Sequence, residues 1–320
     1  MDTFTHILIG FLLFAKIDLR LAFFSGFMAM FVDLDFILAP LARKYPIIEH
    51  RGIAHSFPVV ILYTTIVSSI FSIFTAMNFW LLLSAGLTGS ILHITCDSMT
   101  NYGTNSLYPL VKKPIKLEMI LGVDPLTAIF SIPILTIFTF SYFNSNWALF
   151  NMTYSIAVIS LIFYFMIHCI LKIIVTIKFK TKSLPSFLRI KFNIIDSMII
   201  DNDNKKYKVL SWKPYNLITN KTGQKESFKL LLQKIEPPLD SDEKKIAYAY
   251  NLKPLRRIFS RVEYIIGKIV GTTTNPSTHL YWYSLELDNG RFKMGAHVFL
   301  KENGEFKVKR FYPFINNMTE

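Results

Sequence analysis

The chain of 320 residues contains few cysteines and few charges, and both shortages limit what it can be. Its two cysteines, Cys96 and Cys169, lie in apolar surroundings and form no C-x-x-C motif, which argues against a disulfide framework and against a thiolate zinc site. Only 18% of the residues are charged, whereas 52% are hydrophobic and 15% are aromatic, with a mean hydropathy of +0.36. This composition argues against a wholly water-soluble protein.

The few charges are unevenly distributed along the chain. Residues 1–177 contain nine Lys and Arg against eight Asp and Glu, so residues 178–320 carry nearly all of the formal net charge of +13. We therefore predict two domains, an α-helical multi-span membrane domain over residues 1–177 and a small, basic, soluble α+β domain over residues 178–320. The N-terminus lacks the basic start and the cleavage site of a signal peptide, and we expect it to be retained.

Two long blocks of the first domain contain no Asp, Glu, Lys or Arg. They cover residues 52–96 and 125–171, and each is about twice the ~20 residues that a helix needs to cross a bilayer. Asn78 interrupts the first block and Asn144-Ser145-Asn146 the second, so each block predicts a helical hairpin. The four predicted spans are 57–77, 79–96, 125–143 and 147–171. Apolar residues 3–15 and 21–39 predict a fifth and a sixth helix, or a partly re-entrant pair.

The positions of basic residues predict the orientation in the membrane. Basic residues flank the two hairpins and lie between them: Arg43, Lys44, Arg51, Lys112, Lys113, Lys116, Lys172, Lys178, Lys180 and Lys182. The hairpin turns carry none. We therefore predict a multi-pass protein of the cell membrane whose loops between the hairpins and whose C-terminal domain face the cytoplasm.

The C-terminal residues show the signals of a β-hairpin meander. Turns with an Asn-Gly pair, Asp288-Asn289-Gly290 and Glu302-Asn303-Gly304, separate runs rich in aromatic and β-branched residues. Residues 243–270 contain helical stretches. The basic residues are dispersed and form no recognised nucleic-acid-binding motif, so contact with anionic membrane lipid is the simpler use of the charge.

Most acids and histidines of the membrane domain gather at the predicted cytoplasmic ends of its helices or in the loops that join them. These residues are Asp2, His6, Asp33, Asp35, Glu49, His50, His55, His93, Asp97 and Asp124. Because burying ionisable groups near a bilayer is costly, acids and imidazoles at one depth predict a functional site.

His93 and Asp97 are four residues apart and share one face of a helix. This spacing suits two ligands of one metal, or a ligand and the acid that orients it. The alternative is a histidine packed inside the bundle and an Asp that caps the next turn.

Asp33 and Asp35 point in roughly opposite directions on a regular helix, so both can serve one ion only if the helix ends there. Alternatively, both are solvated at a helix terminus.

Residues 49–56 form the most unusual segment of the sequence. It combines Glu49, His50, Arg51 and His55 in a loop in which Gly52 permits a close turn. Neutral imidazoles bind divalent metals, and the guanidinium group suits a phosphate or carboxylate of a substrate. The alternative is an interfacial loop whose arginine faces lipid headgroups. For His6, the alternative is an ordinary histidine near the N-terminus, with Asp2 as the cap of its helix.

Taken in order, these motifs resemble a known family. They are Thr5-His6, Asp33-x-Asp35, His50-Arg51-Gly52-x-x-His55-Ser56, His93-x-x-x-Asp97, and then Gly103 and Tyr108-Pro109. The set resembles the membrane-bound, metal-dependent hydrolases related to a LexA-regulated inner-membrane protein, over about residues 1–140. Val32 and Ala54 stand where that pattern has Pro and Thr, and neither change removes a candidate ligand. The resemblance implies metal-dependent hydrolysis at the membrane.

The residues and the resemblance together predict a mechanism. We expect a mixed nitrogen and oxygen site for one or two divalent ions, formed by His6, Asp33, His55, His93 and Asp97. The histidines suit Zn²⁺ and the carboxylates suit Mn²⁺, and both ions stay open. Asp35 or Glu49 is the expected general base, and His50 and Arg51 are expected to orient the substrate or stabilise developing charge. A site at headgroup depth favours a lipid or lipid-linked ester or phosphodiester.

Two other classes of function stay open at this point. A transporter or channel would use intramembrane Asp and His for an ion or proton path, but it would spread polar residues through the depth of the membrane. A non-catalytic membrane anchor would present its C-terminal domain to a partner. The anchor would not need so many acids and imidazoles at one depth.

Overall fold

The computed structural model describes most of the chain, with short gaps. The described residues are 2–38, 50–111, 113–120, 125–185, 191–202, 205–233, 235–259, 264–272, 277–284 and 295–311. The chain forms two compact units, residues 1–170 and residues 171–320. Predictions for Glu49, Asp124 and the turn at residues 288–290 lie outside the described residues.

The first unit is helical. Its helices are α1 (Thr3–Phe14), α2 (Leu19–Phe31), α3 (Phe57–Thr75), α4 (Phe79–Ser98), α5 (Pro125–Phe143) and α6 (Trp147–Phe179), the last of which continues into the second unit. Two 3₁₀ helices, Val32–Leu38 and Ile53–His55, follow α2 and precede α3. Within the described ranges, the four helices from α3 to α6 are long and apolar enough to cross a membrane, whereas α1 is shorter. The predicted polytopic helical domain is thus confirmed.

The helix starts follow from local sequence signals. Asp2 accepts a hydrogen bond from the Thr5 backbone N–H at 3.0 Å and thereby caps α1. Asn78 accepts one from the Trp80 N–H at 2.9 Å and caps α4 at the predicted turn. Such side chains satisfy N–H groups that the first turn of a helix leaves unpaired.

The end of α6 differs from the sequence-based prediction. The helix continues to Phe179, whereas the predicted span ends at residue 171. Lys172 and Lys178 marked the predicted end, but lysine is a good helix former and its long aliphatic stem tolerates an apolar neighbourhood. Lys180, with a φ of +50°, lies just beyond the helix end.

Close packing of α2 against α1 and α4 brings the N-terminal helices together. A Cβ atom at Gly89 of α4 would lie 2.2 Å from the Ser25 carbonyl oxygen of α2, and one at Gly10 of α1 would lie 2.9 Å from the same oxygen. Only residues without a side chain permit this approach of three backbones. This close packing determines how near the side chains at the interface of α1, α2 and α4 can come to one another.

The second unit contains two antiparallel sheets. The first has the order β1-β2-β3-β4 with β5 beside β3, and the second has the order β6-β7-β8-β9. The strands are β1 (Lys182–Pro185), β2 (Lys191–Asn202), β3 (Lys205–Asn216), β4 (Lys221–Thr222), β5 (Glu226–Leu231), β6 (Ile265–Thr272), β7 (Ser277–Ser284), β8 (Gly295–Lys301) and β9 (Phe306–Phe311). Helices α7 (Asp242–Tyr250) and α8 (Lys253–Ile258) lie between β5 and β6.

Both the hairpin chemistry and the core of the second unit agree with the predicted α+β domain. The turn at Glu302-Asn303-Gly304 joins β8 to β9, and Gly304 has a φ of +88° that a residue with a side chain rarely adopts. Trp282 and Leu280 of β7 are fully buried and pack in one cluster with Leu255 of α8. The fold class of the chain is therefore confirmed for both units.

The close approach at Gly89 predicts a difference between two matched substitutions in α4. Gly89→Val should lower the thermal unfolding midpoint, because the added side chain forces α2 and α4 apart and overpacking costs about 1–3 kcal/mol or more. Ser84→Val, on an exposed part of the same helix, should leave the midpoint nearly unchanged. Unfolding of the detergent-purified proteins, followed by tryptophan fluorescence, measures both. Equal midpoints for the two variants would contradict the close packing.

Candidate metal centre

Four side chains from three parts of the first unit meet in one buried group, the His/Asp cluster, which consists of Asp33, His55, His93 and Asp97. Asp33 lies in the 3₁₀ helix after α2, His55 lies in the 3₁₀ helix before α3, and the other two lie near the end of α4. All four side chains are buried, and one potential ligand atom from each lies within 4.8 Å of the others. The tertiary structure thus assembles residues that are up to 64 positions apart in sequence.

The distances within the His/Asp cluster suit a small divalent ion. His93 Nε2 lies 3.4 Å from Asp33 Oδ1 and 3.4 Å from Asp97 Oδ2. His55 Nε2 lies 3.8 Å and 3.7 Å from the same two oxygens. Ligand atoms about 2.1 Å from a tetrahedral ion are about 3.4 Å apart. The spacing of two nitrogens and two oxygens therefore fits the donor set of Zn²⁺ or Mn²⁺.

The imidazole of His93 is oriented so that one nitrogen is available. Its Nδ1 lies 2.7 Å from the Ala29 carbonyl oxygen, to which only a protonated nitrogen can donate. A neutral ring then has its lone pair on Nε2, the atom that faces the carboxylates. The buried Nε2 atoms of His55 and His93 make no hydrogen bond within the described residues. Buried polar atoms normally have a partner, and a bound cation is one that suits these two.

Asp35 lies behind His55 rather than within the His/Asp cluster. Its Oδ2 is 3.0 Å from His55 Nδ1 and accepts a hydrogen bond from the Arg51 backbone N–H, and its Oδ1 is 2.6 Å from His50 Nδ1. Burial opposes the charge of this carboxylate, but the imidazoles of His50 and His55 beside it hold its pKa below the ordinary value. An ionised carboxylate behind a histidine fixes the orientation of the ring and raises its basicity as a ligand.

Arg51 points into the protein. It has a φ of +63°, its side chain is only 5% exposed, and its Nη2 lies 2.9 Å from Asp97 Oδ1. Its Nη1 donates to Thr100 Oγ1 at 3.0 Å. The alternative of an arginine that faces lipid headgroups is therefore wrong. The guanidinium group supplies positive charge to a carboxylate that is otherwise costly to bury.

His6 borders the cluster from α1. Its ring centroid lies 3.7 Å from that of His93, its Nδ1 lies 3.7 Å from Asp33 Oδ2, and its Nε2 lies 3.6 Å from Asp97 Oδ1. The two nitrogens face different carboxylates, and His6 is not one of the four residues whose ligand atoms all lie within 4.8 Å. His6 therefore differs from an ordinary histidine near an N-terminus, because its ring is buried against the cluster.

The structure brings together every predicted site residue that it describes, and it adds two that the sequence analysis missed. Thr3 Oγ1 donates to Asp33 Oδ2 at 2.7 Å. Thr100 Oγ1 donates to the Asp97 carbonyl oxygen at 2.7 Å and accepts from Arg51. The sequence offered a weak signal for Thr100, which follows Asp97 by three residues as hydroxyls of local turns often do. It offered none for the contact of Thr3 with a residue 30 positions away.

Comparison with known proteins places the chain in a family. The uncharacterized protein YfhP of Bacillus subtilis (strain 168) is 29% identical over 143 residues, which are 39% of this chain and 42% of that protein, so the chain spans less than half of this relative's length. No solved structure matches the chain. Residues 1–171, which are more than half of the chain and contain the whole His/Asp cluster, match the family described as YdjM inner membrane protein. The chain therefore belongs to the YdjM inner membrane protein family.

Proposed function

We propose that this multi-pass inner-membrane protein is a metal-dependent hydrolase whose reaction centre is the His/Asp cluster. The observation that carries the proposal is the spacing of 3.4–3.8 Å between two imidazole nitrogens and two carboxylate oxygens that are all buried. Two acids and two histidines gathered without such a purpose would be expensive to bury at the end of a membrane helix. A bound divalent ion supplies a Lewis acid and an acidified water molecule.

Within the His/Asp cluster, the contacts of the two carboxylates favour one ion rather than two. Asp33 and Asp97 each direct one oxygen towards His93, while the second oxygen of Asp33 accepts from Thr3 and that of Asp97 pairs with Arg51. A second ion at these outer oxygens would compete with both interactions. In this arrangement Asp33, His55, His93 and Asp97 bind the ion, and His6 packs against His93.

The neighbouring residues act mainly by positioning the ligands. Asp35 orients His55, and both of its oxygens are engaged, so orientation is a better role for it than the general base that the sequence predicts. Arg51 orients Asp97 and balances its charge. The His50 side chain is 45% exposed and is therefore the group best placed to meet a substrate from outside. Glu49 stays a candidate base on sequence grounds.

The location of the cluster supports a membrane substrate. His93 and Asp97 lie in the last turns of α4, which is one of the helices able to cross a membrane. A site at the end of such a helix is at the depth of lipid headgroups. We therefore propose a lipid or lipid-linked ester or phosphodiester as the substrate, with the site and the basic second unit on the cytoplasmic side.

The distribution of charge supports an enzyme rather than a transporter. Helices α3 and α5 contain no Asp, Glu, Lys or Arg, and α4 contains only Asp97, which lies in its last turns. A path for ions or protons would need polar groups along the depth of these helices. An anchor, in turn, would have no use for a buried cluster with the spacing of metal ligands.

Elemental analysis of the purified protein tests the metal site. We expect about one equivalent of Zn or Mn per chain after reconstitution, and loss of that metal in a His93→Ala, Asp97→Asn double variant, which removes one nitrogen donor and replaces a charged carboxylate donor by a weaker neutral amide. His168→Ala is the matched control, since His168 is also buried in this unit but bonds to the Tyr164 carbonyl instead. Metal absent from the wild type, or retained by the double variant, would contradict the proposal.

The same proteins test the activity. The metal-loaded wild type should hydrolyse phosphodiesters or esters presented in lipid vesicles, whereas the double variant should be inactive and His168→Ala should keep its rate. Release of the water-soluble product, measured by mass spectrometry, gives the rate. A full rate in the double variant, once matched to wild type by its size-exclusion profile, would remove the cluster from the chemistry.

The orienting role of Asp35 predicts a smaller effect than loss of a ligand. Asp35→Asn should weaken metal affinity about 10- to 100-fold without abolishing binding, as is usual when the partner of a metal-bound histidine is changed. Asp18→Asn, at the exposed start of α2, should leave the affinity unchanged. Competition with a chelator of known affinity measures both variants. A complete loss of metal in Asp35→Asn would instead indicate that Asp35 is itself a ligand.

Two Arg–Asp pairs among the described residues of the first unit should lose very different amounts of stability when the arginine is replaced. Arg51→Met removes the guanidinium group from buried Asp97 and should cost about 3–5 kcal/mol, as breaking a buried ion pair does. Arg20→Met removes an exposed partner of Asp18 and should cost much less, because solvent screens an exposed ion pair. Chemical denaturation in detergent measures both. Similar losses in the two variants would show that Arg51 does not stabilise the buried carboxylate.

A further inference from the structure

An apolar groove lies between α1, α2 and α5, separate from the His/Asp cluster. It has a volume of about 620 Å³, within the range of about 300–1,000 Å³ that is typical of ligand pockets. Its lining residues are Phe4, Ile7, Phe11, Phe23, Gly26, Ile132, Leu135, Thr136, Phe138, Thr139, Phe140, Phe143 and Asn144. Phe11 lies between the two walls, with its ring centroid 5.2 Å from those of Phe23 in α2 and Phe138 in α5.

The few polar side chains of the groove donate hydrogen bonds to carbonyl oxygens of α5. Thr136 Oγ1 donates to the Ile132 carbonyl oxygen at 2.9 Å, and Thr139 Oγ1 donates to that of Leu135 at 2.8 Å. Asn144 Nδ2, just beyond the helix, donates to the Phe140 carbonyl oxygen at 2.8 Å. The two threonine hydroxyls therefore need no acceptor in the groove, whose other lining residues apart from Asn144 are apolar and suit hydrocarbon better than a polar ligand or a water chain.

The groove has the length and the opening of a site for one acyl chain. Its α5 wall runs from Ile132 to Phe143 and is about 16 Å long at 1.5 Å per residue. One acyl chain spans about half of a hydrocarbon core of about 30 Å, or about 15 Å. Phe4, Ile132 and Phe140 along its edge are 48%, 43% and 59% exposed. Because α5 is long and apolar enough to cross a membrane, this open side faces the lipid phase, from which a chain could enter.

One end of the groove is level with the His/Asp cluster. Phe4 precedes His6 by two residues, which is about 3 Å along α1. At this turn Thr5 Oγ1 lies 2.9 Å from Ser131 Oγ of α5, just before Ile132, so α1 and α5 are in register here. Thr3, which donates to Asp33, belongs to the same turn. A chain in the groove would present its polar head at the first turn of α1, next to the cluster.

We propose that this groove binds one acyl chain of a membrane lipid and thereby positions the lipid head at the His/Asp cluster. The inference rests on the proposed function for its purpose, since it specifies the substrate as a lipid with a long acyl chain. Its occupancy, however, requires neither metal nor turnover. The two proposals can therefore fail separately.

Photolabelling of the full chain in nanodiscs tests the groove. The probe is phosphatidylglycerol with a diazirine near the end of one acyl chain, and labelled peptides are located by mass spectrometry. The filling variant combines Thr136→Phe with Thr139→Phe. The matched control combines Ile129→Phe with Ile137→Phe, which add aromatic rings to exposed positions of the same helix outside the groove. Metal content is measured on every preparation.

We expect labelling of residues 132–144 in the wild type to saturate as the fraction of probe rises. The filling variant should reduce it about tenfold, as a loss of about 1.4 kcal/mol of binding free energy does, and the control should retain it. Labelling that rises linearly and equally on both faces of α5 would mean ordinary surrounding lipid and overturn the proposal. A second result would also overturn the proposal, namely groove residues that stay unlabelled together with a cross-linked dimer that the filling variant abolishes. A second copy of the protein would then occupy the groove. Metal bound normally in either case would leave the proposed function standing.

Discussion

A carboxylate buried among membrane helices is tolerated only where cations or hydrogen-bond donors surround it, and Asp33 and Asp97 are both in this position. Each has one oxygen directed to the outside of the site, where Thr3 or Arg51 binds it, and one directed to the imidazoles. This division explains why the surrounding polar residues are arranged as they are. The inner oxygens face the Nε2 atoms of His55 and His93, which make no hydrogen bond within the described residues, and our proposal places a divalent cation between them.

That requirement depends on the packing of α1, α2 and α4. Gly10 and Gly89 let the backbones of α1 and α4 approach the Ser25 carbonyl oxygen of α2, so that His6 and His93 meet at 3.7 Å between ring centroids. Larger residues at the glycines would separate the helices and widen the spacing of 3.4–3.8 Å between the imidazole nitrogens and the carboxylate oxygens of the His/Asp cluster. The packing inside the membrane unit thus determines the geometry of the His/Asp cluster, whereas the apolar outer faces of the unit remain available to lipid.

The proposed acyl groove follows from the same arrangement. The hairpin of α1 and α2 presents one side to α4, where the cluster lies, and leaves another facing α5, where aromatic residues such as Phe11 and Phe23 form the groove. The two sites therefore share α1, with His6 on one side and Phe4 on the other. A lipid that lay along α5 would approach the cluster over the first turn of α1 rather than through the bundle.

Local patterns in the sequence were enough to predict the membrane helices and to select the acids and histidines that gather around the His/Asp cluster. Uncharged blocks long enough for two spans favour helical hairpins, and acids and histidines at helix ends are rare enough to be informative. The patterns could not tell which of these residues lie within the cluster and which lie beside it. Asp33 and Asp35 are equivalent in the pattern, yet only the change of α2 into a 3₁₀ helix directs one into the cluster and the other behind His55. Likewise, the inward direction of Arg51 depends on its positive φ and on Thr100, 49 residues away. These positions emerge only in the folded protein, because the orientation of a side chain depends on contacts between segments that no local pattern records.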